Sequence, residues 1–263
     1  MKLQKYYEVN AFCTRDPFSG NPAGICPLDE FPDDSLLLHI AAQNNLSETA
    51  FFVKRAEGKF DLRWFTPTSE VDLCGHATLA SGWLLFNLLE PRLTQIDFAT
   101  RSGTLSPKRA GERIEMSLPA RPGAPMAHND ELSKALGVEP IALVKSRDIL
   151  AVLESEEAVR SLKPNLSALA KLHGMGIIAT APGSSADFVS RAFFPAIGIN
   201  EDPVTGSAHC TLVPYWAEQL KKTDLRAEQV STRGGDLHCE LAGDSVILRG
   251  KAELYLRGEL LLP

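Results

Sequence analysis

LRWFTPTSEVDLCGHATLA at 62–80 and SRAFFPAIGINEDPVTGSAHCT at 190–211 are two versions of one pattern, and their relation decides the fold. Arg63, Phe65 and Pro67 fall on Arg191, Phe193 and Pro195 at an offset of 128. Gly75 and Ala77 fall on Gly206 and Ala208 at an offset of 131. Further on, TRSGTL at 100–105 matches TRGGDL at 232–237 at 132, and Ala110-Gly111 falls on Ala242-Gly243 at the same offset. Half of the 263-residue chain is about 131, so three ordered matches spell an internal duplication. The chain therefore reads as two homologous lobes, 1–118 and 119–263, joined at the turn-rich PARPGAP of 119–125. The final strand is a candidate to pair with the N-terminal lobe.

Within the first half, VNAF at 9–12 and ETAFFV at 48–53 read as strands. Between them DDSLLLHIAAQNN reads as a helix capped by Asp33 or Asp34. From Gly75 to Leu89 apolar residues fall on almost every side, and a helix of that kind must be enclosed by other structure. Its partner, Ser207 to Leu220, contains Pro214, which predicts a kink or a shifted boundary. Strands, helical crossovers and hairpins in each half give an α+β fold: two pseudo-repeated lobes, each a curved, barrel-like mixed sheet wrapped around a central helix.

Composition excludes several classes. Apolar residues make up 44% and charged residues 23%, ordinary values for a globular chain. Lys plus Arg number 27 against 33 for Asp plus Glu, a net charge of −6 that argues against nucleic acid. No run approaches the roughly 18 apolar residues that span a bilayer, and MKLQKYYEVNAF lacks the apolar block of a signal peptide. Cys13, Cys26, Cys74, Cys210 and Cys239 are odd in number and scattered, which predicts free thiols in a reducing cytoplasm. No C-x-x-C, H-E-x-x-H, G-x-G-x-x-G or Walker loop occurs, so neither a metal nor a nucleotide cofactor is expected.

Both repeats place a glycine flanked by small polar residues at a helix start: Cys74-Gly75-His76-Ala77 and Thr205-Gly206-Ser207-Ala208. The first amides of a helix lack internal partners and carry the positive end of its dipole, so an anion can bind there. The alternative is that Gly75 and Gly206 only permit tight turns. His76 can relay a proton near neutral pH, and Ser207 and Asp202 flank the second glycine; helix capping is the competing role for all three. Glu48 interrupts an apolar entry, SETAFFV. Tucked beside Phe51 and Phe52, its carboxylate would be desolvated, as a general acid–base requires; otherwise it is a solvated strand-end residue. Asn21, in GNPAG, reads as a turn residue, with a further contact in the site as the alternative.

FSGNPAGI, LSETAFF, RWFTPTSEVDLCGHATLAS and FFPAIGINEDPVTGSAHC together resemble the PhzF family of phenazine-biosynthesis-like isomerases. The signatures occur in the family's order and cover most of the chain. The resemblance implies a diaminopimelate epimerase-like fold with the active site between two alike lobes, and a homodimer. It also implies cofactor-independent isomerisation of a small carboxylate; the named member acts on trans-2,3-dihydro-3-hydroxyanthranilate. The family's glutamate in S-E-T-A-F carries over to Glu48, its histidine in C-G-H-A to His76, and its aspartate and serine in E-D-P-x-T-G-S to Asp202 and Ser207. On that reading Glu48 moves the proton, His76, Asp202 and Ser207 hold or polarise the substrate, and amides near Gly75 and Gly206 bind its carboxylate.

Two alternatives stand beside it. The epimerase relatives use two opposed cysteines; this chain has Cys74 at the first helix start but no thiol at the second, leaving a Glu48/Cys74 racemase or epimerase. Cys74 is otherwise a small buried apolar residue. A non-catalytic ligand-binding or interaction protein on the same fold is the third reading.

Overall fold

A computed structural model of the chain describes residues 2–172 and 176–262. They form two compact units, 1–117 with 249–263 and 118–248. The first contains β1 (Lys2–Ala11), β2 (Asn21–Leu28), α1 (Asp34–Asn44), β3 (Glu48–Ala56), β4 (Lys59–Phe65), β5 (Glu70–Val71), α2 (Gly75–Leu84), β6 (Asp97–Thr100), β7 (Gly103–Leu105), β8 (Lys108–Ala110) and β9 (Arg113–Pro119). The second contains β10 (Ala124–Met126), α3 (Asp130–Leu136), β11 (Ala142–Lys145), β12 (Ile149–Val152), α4 (Glu156–Arg160), α5 (Leu166–Leu169), β13 (Ile177–Pro182), β14 (Phe188–Phe194), β15 (Ile199–Asp202), α6 (Gly206–Leu220), β16 (Asp224–Gln229), β17 (Gly235–Ala242) and β18 (Ser245–Gly250). The last strand, β19 (Ala252–Leu262), pairs antiparallel with β1 in the first unit.

The first sheet runs β19-β1-β2-β3-β4-β6-β7, with β5 on β4; in the second unit the order is β10-β11-β12-β13-β14-β16-β17-β18, with β15 on β14. The shared plan is visible in the crossovers. β2 and β3 are parallel across α1, and β4 and β6 across α2; β12 and β13 are parallel across α4 and α5, and β14 and β16 across α6. Parallel neighbours need such a crossover because a tight turn only reverses the chain. The first sheet's path runs from β19 to β7.

Local sequence explains the layers. In β4, Phe60, Leu62 and Trp64 alternate with Lys59, Asp61 and Arg63, burying one face. β12 is buried along its whole length, as a central strand covered on both sides must be. α2 is buried at nine of its ten residues and packs on β1, β2, β3 and β19, the enclosed helix that its composition demands. Its buried hydroxyls bond back along the helix, Thr78 to the Cys74 carbonyl and Ser81 to that of Ala77.

Three local expectations change. Asp33 occupies the N-cap of α1 but its side chain bonds no helix amide; Asp34 turns away to Arg63. Phe51 lies on the α1 side with Phe65, while Glu48 shares the opposite strand face with Phe52 by the two-residue period, so Glu48 is not beside Phe51. Pro214 lies inside an unbroken α6. Lacking an N–H, it frees the Cys210 carbonyl, and the Arg121 amide takes that acceptor at 2.8 Å.

The duplicated R-x-F-x-P segments carry the same clasp. Arg63 forks onto Glu70 at 2.8 and 2.7 Å and lies 5.1 Å over Phe65. Arg191 forks onto Glu201 at 2.7 and 2.9 Å, lies 5.1 Å over Phe193, and donates to the carbonyl of Leu162 at 2.8 Å. Each fork ties β4 or β14 to the short strand that leads into the buried helix. Arg101 also reaches Glu70, whereas among the described residues Glu201 has only Arg191. Arg191→Ala therefore strands a half-buried carboxylate and is expected to cost about 3 kcal/mol. Arg63→Ala should cost less. Denaturant-unfolding midpoints of both variants check the order, and equal or reversed losses contradict the clasp.

Candidate functional site

Three element starts converge in the first unit. Gly20 has φ +80°, and a Cβ there would lie 2.4 Å from the Ala11 carbonyl oxygen, so only glycine turns the chain into β2 at this point. Asn21 follows as the first residue of β2, opposite Ala11, and is fully buried. Glu48 opens β3 beside Ala23 of β2, with its side chain 13% exposed. Cys74 is the extended N-cap of α2 and His76 the helix's second residue.

His76 is the centre of the cluster. Its Nε2 is 3.3 Å from Glu48 Oε2, though the ring N–H is not aligned as a full hydrogen bond. On the other side of the ring, Asn21 Nδ2 lies 3.2 Å and Cys74 Sγ 3.6 Å from Nδ1. Burial drives the His76 pKa down to about 3, because the enclosed ring has lost the water that would solvate its charge. The imidazole is therefore neutral at physiological pH. Asn21, taken from the sequence as a turn residue, is in fact a side-chain partner of His76. A short polar residue ahead of proline carries a turn signal, and only the packing of β2 against α2 reveals its contact.

Glu48, Cys74 and His76 are also the donors in reach of a metal ion, with ligand atoms within 4.8 Å of one another. The carboxylate faces Nε2 and the thiol faces Nδ1, so one ion cannot bind all three closely without the ring turning.

At the α6 start the polar residues mostly hold one another. Thr205 Oγ1 donates to Asp202 Oδ2 at 2.6 Å; Gln229 accepts from the Thr205 amide at 2.9 Å and donates to the Asp202 carbonyl at 2.8 Å. His209 Nδ1 meets the Thr205 carbonyl at 2.8 Å, and burial lowers its pKa to about 4. Ser207 is half-buried, and its hydroxyl makes no hydrogen bond among the described residues. Gly206 leads α6 as Gly75 leads α2, and neither N-cap side chain bonds its helix. Sequence reading missed Gln229, which sits inside an ordinary strand pattern and shows its role only through the turn it braces.

A profile of the family described as Phenazine biosynthesis-like protein, PhzC-PhzF, matches residues 9–258. An uncharacterized isomerase of Pseudomonas aeruginosa is 49% identical over 254 residues, 97% of this chain and 97% of its own. A crystal structure of a PhzF-family phenazine biosynthesis protein from Enterococcus faecalis matches with a TM-score of 0.96 at 44% identity, covering 99% of this chain and 100% of that one. A hydroxyproline epimerase from Agrobacterium vitis shares the fold alone, with a TM-score of 0.64 at 9% identity over 98% of this chain and 92% of its own. The mixed α+β fold expected from the duplication, epimerase-like as the resemblance implies, is the one observed.

Both buried rings make stability depend on pH. Their folded pKa values, about 3 and about 4, lie below the ordinary histidine value of 6.5, so the unfolded chain takes up protons that the native state refuses. Stability is full above pH 6.5 and falls as the pH drops below it, by up to ~1.4 kcal/mol per pH unit for each ring. Urea unfolding at pH 7.5, 6 and 5 measures this; a flat profile across that range contradicts neutral burial.

Proposed function

The chain belongs to the phenazine biosynthesis-like (PhzC-PhzF) family and is an isomerase, and on that premise we propose that Glu48 moves a proton within a small, carboxylate-bearing substrate without metal or organic cofactor. The observation that carries this reading is the Glu48 carboxylate, 13% exposed, 3.3 Å from a histidine that burial keeps neutral. An imidazolium would bind the carboxylate as an ion pair and occupy the base. A neutral ring offers one N–H and leaves Glu48 its charge. Glu48 takes a carbon-bound proton from the substrate and returns one to another carbon, so the product has the same formula. General catalysis of this kind contributes about 10²–10⁴-fold in rate.

His76 polarises the substrate or steadies Glu48, and the amides at Gly75 receive the substrate's carboxylate at the positive end of α2. In the second unit, the amides at Gly206 and the Ser207 hydroxyl have the same capacity, and Asp202 shapes that turn through Thr205.

Cys74 beside the same ring favours a hearing for the Glu48/Cys74 racemase, and the distances then count against it. A two-base racemase holds the reacting carbon between opposed groups, each roughly 3–3.5 Å away, which separates the groups by about 6–7 Å. The Glu48 and Cys74 ligand atoms lie within 4.8 Å of one another. One base acting on one face fits that spacing.

Exchange of carbon-bound hydrogen in deuterated water tests the reading, using trans-2,3-dihydro-3-hydroxyanthranilate and a panel of small cyclic and open-chain amino carboxylates. Glu48→Gln should lower exchange at least ~100-fold while carboxylates that raise the melting temperature still raise it. Full exchange in that variant removes Glu48 from the reaction. If Cys74→Ser is the variant that dies, with inverted stereochemistry in the wild-type product, the racemase replaces the isomerase. A homodimer belongs to the same proposal; light scattering of the purified chain at the monomer mass, 28.6 kDa, would rule it out.

A further inference from the structure

The side chains around His76 determine which ring nitrogen holds its proton. Asn21 Nδ2 approaches Nδ1 at 3.2 Å, and Cys74, whose thiol is a weak donor, approaches the same nitrogen at 3.6 Å. Two donors converge on Nδ1, and the carboxylate acceptor of Glu48 stands 3.3 Å from Nε2. Reversing the Asn21 amide would put its oxygen on Nδ1 and move the proton there. The bare Nε2 lone pair would then face a carboxylate oxygen inside the core, where like partial charges repel strongly. Beside an ionised Glu48 the arrangement that avoids this repulsion puts the proton on Nε2, the lone pair on Nδ1 and the amide nitrogen toward the ring.

We propose that Asn21 is a positioning residue that locks His76 as the Nε2–H tautomer, so that the ring's single proton sits on the nitrogen nearest the Glu48 carboxylate. The proposal rests on the assignment of Glu48 as the base, and names the residue that prepares its neighbour. Three features suit Asn21 to the task. It is fully buried, so water does not compete for the ring. The left-handed glycine before it sets its position at the first pair of the β1–β2 ladder. Its amide cannot ionise, so the lock holds at every pH at which the protein is folded. Among the described residues, the titratable groups that meet the ring are Glu48 at Nε2 and Cys74 at Nδ1. His209 shows what the absence of such a donor allows: its Nδ1 faces a carbonyl oxygen, which requires the opposite tautomer.

Long-range ¹H–¹⁵N correlation spectra of histidine-labelled protein report which nitrogen of each ring is protonated, without any substrate. The expected result for the full chain is Nε2–H at His76, Nδ1–H at His209, and no titration of His76 between pH 5 and 8. Asn21→Asp, nearly isosteric, replaces the donor by an acceptor and should put a proton on Nδ1, either as the other tautomer or as an imidazolium that titrates within that window. Asn21→Ser, which keeps a hydroxyl donor, should retain the wild-type pattern in part. Nδ1–H in the wild-type ring overturns the proposal, as does an Asn21→Asp protein whose His76 signals match the wild type. The wild-type spectrum decides the tautomer, and where Asn21→Asp fails to fold Asn21→Ser decides whether residue 21 sets it: loss of Nε2–H protonation despite its hydroxyl donor overturns the lock. If instead Glu48→Gln keeps full hydrogen exchange while the Nε2–H pattern stands, the assignment of the base fails and the lock survives.

Discussion

A helix with nine of its ten residues buried has no side on which to leave a polar group, and that constraint organises the first unit. Every hydroxyl, amide and ring nitrogen on α2 must be answered by the protein itself, since an unanswered buried polar group costs about 1–3 kcal/mol. Thr78 and Ser81 are answered by their own helix. His76, at the helix start, has no carbonyl four residues back that its ring can use, so its partners come from neighbouring elements: Asn21 from β2, Glu48 from β3, Cys74 from the N-cap. The polar cluster at the helix start is thus what burial of this helix requires, with one member of the set being a carboxylate.

The second unit repeats the frame and changes the contents. The same arginine fork and ring stacking tie β14 to β15 as they tie β4 to β5, and a glycine leads each long helix. At the offset of 128 that carries Arg63 onto Arg191, Glu48 falls on Gly176, and the strand registers agree, Thr49 with Phe65 and Ile177 with Phe193. A Cβ at Gly176 would lie 2.2 Å from the Phe194 ring, so no acid could stand there without displacing an aromatic side chain. Cys74 and His76 are likewise replaced by Thr205 and Ser207, and the turn is closed by Gln229. The two copies share what holds a helix start in place, and the Glu48, Cys74 and His76 set stands in the first alone.

How much of this could be read in advance follows from how local each signal is. The duplication, the enclosed helix and the glycine-led starts are written in residue order and composition, and all three are in the structure. Pairings made by long side chains are not: Glu70 and Glu201 look like ordinary charged residues until β5 and β15 bring them under their arginines. Asn21 is similar, since Gly20-Asn21-Pro22 carries every local mark of a turn and its real partner is 55 positions away. Asp33 misled in the opposite sense. It holds the cap position, yet Arg63 draws the neighbouring Asp34 away and the helix amides use the Asp33 backbone carbonyl instead. Propensity ranks candidates, and tertiary charges then choose among them.

Burial of His76 connects the fold to the chemistry more tightly than proximity alone. In water an imidazole near a carboxylate would charge readily, and the pair would become a salt bridge with little left to offer a carbon acid. Enclosure by α2 and its sheet disfavours the charge on the ring, so a neutral imidazole rather than a cation lies beside Glu48. A directional donor must be aimed, and an imidazole has two nitrogens between which the proton can sit. Removing the charge therefore creates a need that the charged ring would not have, a partner on Nδ1 that donates and never ionises. Asparagine meets that need where aspartate, glutamate or a second histidine would not. The identity of residue 21 thus follows from the burial of residue 76, which follows in turn from a helix with no face for water.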